Sequence, residues 1–377
     1  MSKKKSSKKA MALCIVLFLF FAGVVFLYLN KVFSMGDNDS NRQIFKAFYA
    51  EEDNTIDAIY YGTSASNRYF IGPKAYKDEG MTVYTLATMG MPLFLVPDLM
   101  DEVSKTQDPD LVIIELRWTL KEKEQITDAH IRRVTDNMKL SGNKSRAIDK
   151  CFDYMDGSTG MLDDITYNKI EYMIPIIKYH GRLQQGNMTP GDWKLTSTAN
   201  KTKGYVLSPS TTKQVNQFYS RLRDGNKPLS DISERALDEL LDYCDKSSKE
   251  FLFVLSPYSV KAYQMPYFNT AISKVEKRGY KVINFNTPEM YEELGIDWDK
   301  DFYNSKHVNY IGAEKYTEWL TKYLKDNYDL EDHRGDPKYS SWDEAYKVYR
   351  DYVKDGIKII GHKDKIGGEV TIIKQEK

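Results

Sequence analysis

Cysteine is scarce in this chain: three among 377 residues, too few for a disulfide scaffold. Cys14 falls inside an apolar run. Cys151 and Cys244 read as unpaired core residues, although a pair between them stays open. Cys244 lies on the apolar face of a helix that starts at Asp231-Ile232-Ser233-Glu234 and carries Ile232, Leu237, Leu240 and Leu241 on the same side. An excess of charge is also lacking. Lys+Arg and Asp+Glu balance at 54 each, so no bulk field favours a nucleic-acid partner. Histidine is sparse, and His130, His180, His333 and His362 show no metal-ligand spacing among themselves or with the cysteines. There is no phosphate-binding loop, dinucleotide fingerprint, zinc signature or internal repeat, and no cofactor is expected. What is abundant is tyrosine, 28 residues, which suits either a wet, carbohydrate-facing surface or half-buried strands.

The one long apolar run is Ala10–Leu29, its 20 residues enough to cross a ~30 Å hydrocarbon core as a helix. Lys3, Lys4, Lys5, Lys8 and Lys9 precede it and only Lys31 follows closely, an asymmetry that predicts a cytoplasmic N-terminus and an extracytoplasmic body. The run is long for a signal peptide and has no convincing small-residue cleavage site, so a retained anchor at 10–29 is expected after a basic tail at 1–9. Residues 30–42 read as a linker and 43–330 as an α/β domain. Residues 331–377 read as a C-terminal extension, with a small hairpin formed by Ile357–Ile360 and Glu369–Ile373.

Within the α/β domain, short β-branched and aromatic runs predict strands at Ile56–Tyr61, Thr82–Thr88, Leu111–Leu116, Phe251–Ser256 and Lys281–Phe285. Two of these runs are continuously apolar, as strands covered on both faces should be. Helical stretches near Leu93–Lys105, Ser259–Lys277 and Ile311–Lys325 alternate with them. The expectation is a doubly wound, flavodoxin-like parallel sheet of about five strands. About 130 residues separate the third strand from the fourth, far more than an ordinary crossover, and predict a mostly helical insertion at about 118–248. Its clearest helices are Asp164–Tyr179 and Ile232–Cys244.

In such a sheet, ligands bind beyond the carboxyl ends of the strands. The residues leaving those ends are Gly62, Thr63 and Ser64 after the first strand and Thr88, Met89 and Gly90 after the second. Arg117 and Trp118 follow the third strand, and Ser256, Pro257 and Tyr258 the fourth. His307 stands on the loop before the last helix. A serine hydroxyl is a poor nucleophile until an imidazole removes its proton, so Ser64 and His307 together supply the parts of an acyl-transfer site. The competing reading of Ser64 is a helix cap, and Ser66 is the second candidate nucleophile.

The blocks Gly62-Thr63-Ser64, Gly90 and Asn304-Ser305-Lys306-His307, in this order and strand context, resemble the SGNH (GDSL-like) hydrolase family, in particular its membrane-anchored cell-envelope branch. The resemblance spans the sheet domain from Ile56 to Lys325 without the insertion. It implies a Ser64 nucleophile, a His307 base, and an oxyanion hole from the amides of Ser64 and Gly90 with Arg117. Arg117, Trp118 and Tyr258 become candidate substrate contacts. It further implies O-acyl substrates, most plausibly acetyl groups on cell-envelope or exported polysaccharide or a teichoic-acid-like polymer. A membrane-bound O-acyltransferase is the implied partner.

Three departures stand out. Thr63 replaces the family's aspartate beside the serine, and the usual oxyanion asparagine block after the third strand is missing. Asn304 occupies the place of the acid that orients the histidine. Asparagine can orient an imidazole but brings no charge, and Asp301, one loop turn earlier, is the alternative partner. The second functional reading is a catalytically silent domain of the same type that binds glycan or scaffolds an assembly.

Overall fold

Five short strands, the central ones apolar along most of their length, pair side by side into one parallel sheet. They are β1 (Ala58–Gly62), β2 (Val83–Ala87), β3 (Leu111–Glu115), β4 (Glu250–Leu255) and β5 (Lys281–Asn284), in the order β2-β1-β3-β4-β5. The structure, a computed structural model, describes residues 2–122, 125–155, 169–194, 199–216 and 223–363. Its helices run in chain order from α1 (Ser2–Val32), α2 (Ser40–Phe48), α3 (Ser64–Asn67), α4 (Gly72–Glu79) and α5 (Val96–Val103). Between β3 and β4 come α6 (Asp128–Thr135), α7 (Gly142–Met155), α8 (Lys169–Met173), α9 (Pro175–Tyr179) and α10 (Asp231–Cys244). The last are α11 (Met265–Lys277), α12 (Pro288–Glu293), α13 (Tyr310–Asn327) and α14 (Ser340–Lys363). A two-stranded antiparallel pair, β6 (Phe302–Asn304) and β7 (His307–Val308), precedes α13.

Alternate side chains of each strand enter two separate cores. Ile59, Tyr61, Val112, Ile114 and Phe253 pack with α2, α5, α7, α10 and α11. Tyr60, Leu111, Ile113, Leu252 and Val254 pack with α13 and α14 on the other face. Covering both faces explains why β3 and β4 read as nearly unbroken apolar runs. The chain leaves β1 toward β2 on one side and returns past it to β3 on the other. This reversal opens a crevice at the carboxyl ends of β1 and β3.

The N-terminal apolar run and its neighbours are more tightly tied to the body than the sequence suggests. The stretch Lys8–Val32 is long and apolar enough to cross a membrane, and its side of the chain is uncovered by protein. Its far end is pinned to the β3–β4 connection. Tyr28 donates to the Trp193 carbonyl at 2.8 Å, Lys31 to the Asp192 carbonyl at 2.9 Å, and the Ile176 amide to Asn30 Oδ1 at 3.0 Å. Nor is 30–42 a free linker. Asp39 caps α2 through the amides of Asn41 and Arg42, and the Asp37 amide donates to buried Asp192 at 2.9 Å.

Other differences have local causes. The helix expected from Ser259 starts at Met265, with Pro266 in its first turn, where a missing amide costs nothing. The described part of the Asp164–Tyr179 helix is two pieces, α8 and α9, interrupted at Ile174 because the residue before Pro175 is disfavoured in helical geometry. Residues 164–168 lie outside the described residues. Residues 357–360 continue α14 and do not form a strand, while 369–373 lie outside the described residues. Helix α14 itself buries Trp342, Ala345, Tyr349 and Val353, a 3-4-4 spacing that marks one helical face. Cys151 and Cys244 are both free and buried.

Candidate active site

Gly62 ends β1 where the chain turns hard against β3. A Cβ at this position would lie 2.1 Å from Ser66 Oγ and 2.6 Å from Glu115 Cβ, so only glycine allows the approach. Thr63 then caps α3, its hydroxyl accepting the Ala65 amide at 3.2 Å. The cap is therefore Thr63, and Ser64 is left to do something else. Its Oγ lies 2.7 Å from His307 Nε2. Ser66 is fully buried, and its hydroxyl turns to the Tyr61 carbonyl at 3.4 Å.

The hairpin explains why three residues separate Asn304 from His307. Asn304 and His307 pair directly across β6 and β7, with Ser305-Lys306 as the turn, so both side chains project from the same face. Phe302 and Val308 anchor the hairpin in the core. Asn304 Oδ1 sits 3.0 Å from His307 Nδ1 and also accepts the Lys306 amide at 2.9 Å. A backbone N–H can only donate, so the atom facing Nδ1 is the oxygen and Nδ1 carries the proton. Nε2 is then the bare nitrogen, facing the Ser64 hydroxyl as an acceptor. This is the tautomer a general base needs.

Asp301 does not join this pair. Its Oδ2 accepts the Asp297 amide and the Lys315 ammonium, each at 2.7 Å, and it makes no hydrogen bond to His307. It fastens the loop to α13 instead. Without a carboxylate partner, His307 is held far below its ordinary value, at about 2, first by burial and then by the positive charges of Arg117, Arg68 and Lys306. The imidazole is neutral and ready to accept a proton at neutral pH, but its cation is poorly stabilised. We therefore expect kcat/KM on an activated ester to stay flat from pH 5 to 8. Asn304→Asp should raise the His307 pKa, bring an acid limb into that range and increase the rate at pH 8 by about 10–100-fold. A pH profile and rate identical to wild type would remove Asn304 from the site.

Three other residues expected here take supporting positions. Arg117 is partly buried, and its guanidinium donates to the carbonyls of Lys306 (2.5 Å), Ser256 and Pro257 (3.1 Å each) and to Tyr69 Oη (2.7 Å). None of these bonds goes to Ser64 or Gly90; they brace the loops that carry Lys306, Ser256 and Pro257. Beneath it lies Glu115, fully buried, whose carboxylate accepts the Ser256 amide at 3.3 Å and stands 4.0 Å from Arg117 Nε. Burial pushes the Glu115 carboxyl up, and Arg117 and Ser256 pull it back. Tyr258 is a buried platform, its ring centroid 4.0 Å from the Arg117 guanidinium carbon. Trp118 is buried against Phe94, at 5.8 Å between ring centroids, so it belongs to the core and offers no substrate surface.

Gly90 occupies the loop after β2 with φ 73°, a conformation that favours glycine. The amides of Ser64 and Gly90 donate to no acceptor among the described residues. A Cβ on Gly90 would come within 2.2 Å of His130 Cδ2 and 2.4 Å of His130 Nε2. His130 was invisible as a site residue in the sequence, because the 39 positions between it and Gly90 carry no periodic link. The one local signal is Thr127-x-x-His130, the spacing of a helix capping box.

A cleft of about 380 Å³ lies at the opposite, amino-terminal edge of the sheet, lined by Asp57, Asp108, Asp110 and His333. His333 there is already bonded to Asp57 at 2.8 Å and stacked on Tyr339. That cleft holds no nucleophile–base pair like that of Ser64 and His307. Among the described residues no cluster of His, Cys, Asp or Glu is arranged to hold a metal. No protein-family model matches the chain, and no curated protein matches it.

Proposed function

We propose that the chain is a membrane-anchored, extracytoplasmic serine esterase or O-acyltransferase of SGNH type. The observation that carries this reading is the 2.7 Å approach of Ser64 Oγ to His307 Nε2, with the imidazole tautomer set by Asn304. Ser64 Oγ attacks an acyl carbonyl carbon as its proton passes to His307 Nε2. The carbonyl electron pair moves onto oxygen, where the amides of Ser64 and Gly90 receive it. Collapse expels the alcohol, protonated by His307, and leaves an acyl-Ser64 ester. Water or a sugar hydroxyl then takes the acyl group by the reverse route. The substrates are O-acyl groups, acetyl first among them, of a cell-envelope or exported polysaccharide or a teichoic-acid-like polymer. The partner is a membrane-bound O-acyltransferase. These follow from the sequence resemblance, as does the lysine-rich cytoplasmic N-terminus from the charge asymmetry. The helical elements between β3 and β4 form a cap inserted into the sheet domain.

A fluorophosphonate should label the full-length protein in detergent or nanodiscs, with peptide mass mapping placing the adduct on Ser64. An unlabelled folded protein would instead favour the second reading, a catalytically silent glycan-binding or scaffolding domain. That reading draws on the absence of a carboxylate beside His307.

A further inference from the structure

The family's oxyanion asparagine has no counterpart after β3, yet the crevice holds a side chain with a suitable N–H. We infer that His130 is a catalytic residue whose Nε2–H donates the third hydrogen bond of the oxyanion hole, beside the amides of Ser64 and Gly90. This rests on the esterase or transferase reading of Ser64.

The tautomer follows from local structure. His130 is the third residue of α6, and its Nδ1 lies 3.2 Å from the amide nitrogen of Thr127, the N-cap. That amide can only donate, so Nδ1 is the acceptor and the proton of a neutral ring resides on Nε2. The ring is neutral at physiological pH, since burial, helped by Lys121 and Arg133, lowers its pKa to about 4. A neutral imidazole donates without surrendering its proton, the property an oxyanion donor requires.

The placement follows from packing. Helix α6 closes over the loop after β2. Arg133 Nη1 donates to the Met89 carbonyl at 3.0 Å, and the ring lies against Gly90, where a Cβ would collide with Nε2. Strand β2 is the direct neighbour of β1, which delivers Ser64. Nε2 bonds to no acceptor among the described residues, whereas Nδ1 is spent on the cap.

The competing explanation is that His130 only caps α6. Glutamate at this position is a good capping-box residue but has no proton to donate. The test uses the full-length protein and measures the second-order rate of fluorophosphonate labelling, kcat and KM on p-nitrophenyl acetate, and Tm. His130→Ala should slow labelling and lower kcat by about 10²–10³-fold with KM nearly unchanged. His130→Glu should keep the wild-type Tm and be at least as slow. Wild-type labelling and kcat in His130→Glu would overturn the assignment and leave His130 as a cap. Failure of the wild-type protein to label at all would instead sink the nucleophile reading, and this inference with it.

Discussion

Alanine at position 64 is expected to lower turnover of an activated ester by about 10⁵-fold or more while changing stability by less than about 1 kcal/mol. The contrast comes from how the turn divides its labour. Thr63 supplies the helix cap, so Ser64→Ala removes no capping bond. Its main hydrogen bond is to His307 Nε2, whose ring stays oriented by Asn304 through the other nitrogen. Thermal melts and steady-state kinetics on the same preparation would measure both quantities. A variant that lost about 1 kcal/mol but kept its turnover would show Ser64 to be a structural residue.

The largest stability loss is expected for Arg117→Met. Arg117 is the cationic partner of Glu115 and the donor that ties three carbonyls from two separate loops. Burial opposes its charge, but Tyr69, Glu115 and Tyr258 together outweigh that and hold it charged. Removing it strands a buried carboxylate, at a cost of about 3–5 kcal/mol near pH 7. The sign with pH is fixed. Glu115, already raised in the folded protein, would rise further, so the folded state would bind more protons than the unfolded chain. The variant should therefore be nearest to wild type below the unfolded glutamate pKa and lose ground as pH increases. Adding Glu115→Gln should recover much of the loss at pH 7. Because the Lys306 carbonyl is released, labelling of Ser64 should also slow. An Arg117→Met protein with an unaltered Tm across pH 5–8 would show that the pair bears no load.

The central strands were legible because burial on both faces leaves continuous apolar runs, as in β3 and β4, while β5, at the sheet edge, was read from its β-branched Val282 and Ile283. Helix α14 was not read from the sequence, because its aromatic and charged residues masked the 3-4-4 spacing of Trp342, Ala345, Tyr349 and Val353. The docking of α1 onto Asp192 and Trp193 had no sequence signal. It depends on hydrogen bonds between segments about 160 positions apart, made to backbone carbonyls that any residue could present.

Within the candidate site, the chain alone determined the residue types and the local spacings. A glycine two positions before Ser64 and a two-residue turn between Asn304 and His307 are covalent facts, and short-range sterics convert them directly into geometry. The choice between Asn304 and Asp301 was decided by tertiary structure, because Lys315 on α13 captures the Asp301 carboxylate and turns it from the ring. So were the packing of Arg117 over buried Glu115, the placing of Trp118 in the core and the meeting of His130 with Gly90. Each of these depends on which distant groups share a desolvated space. Charge pairing and burial act through distance in the folded chain, and separation along the sequence does not encode that distance.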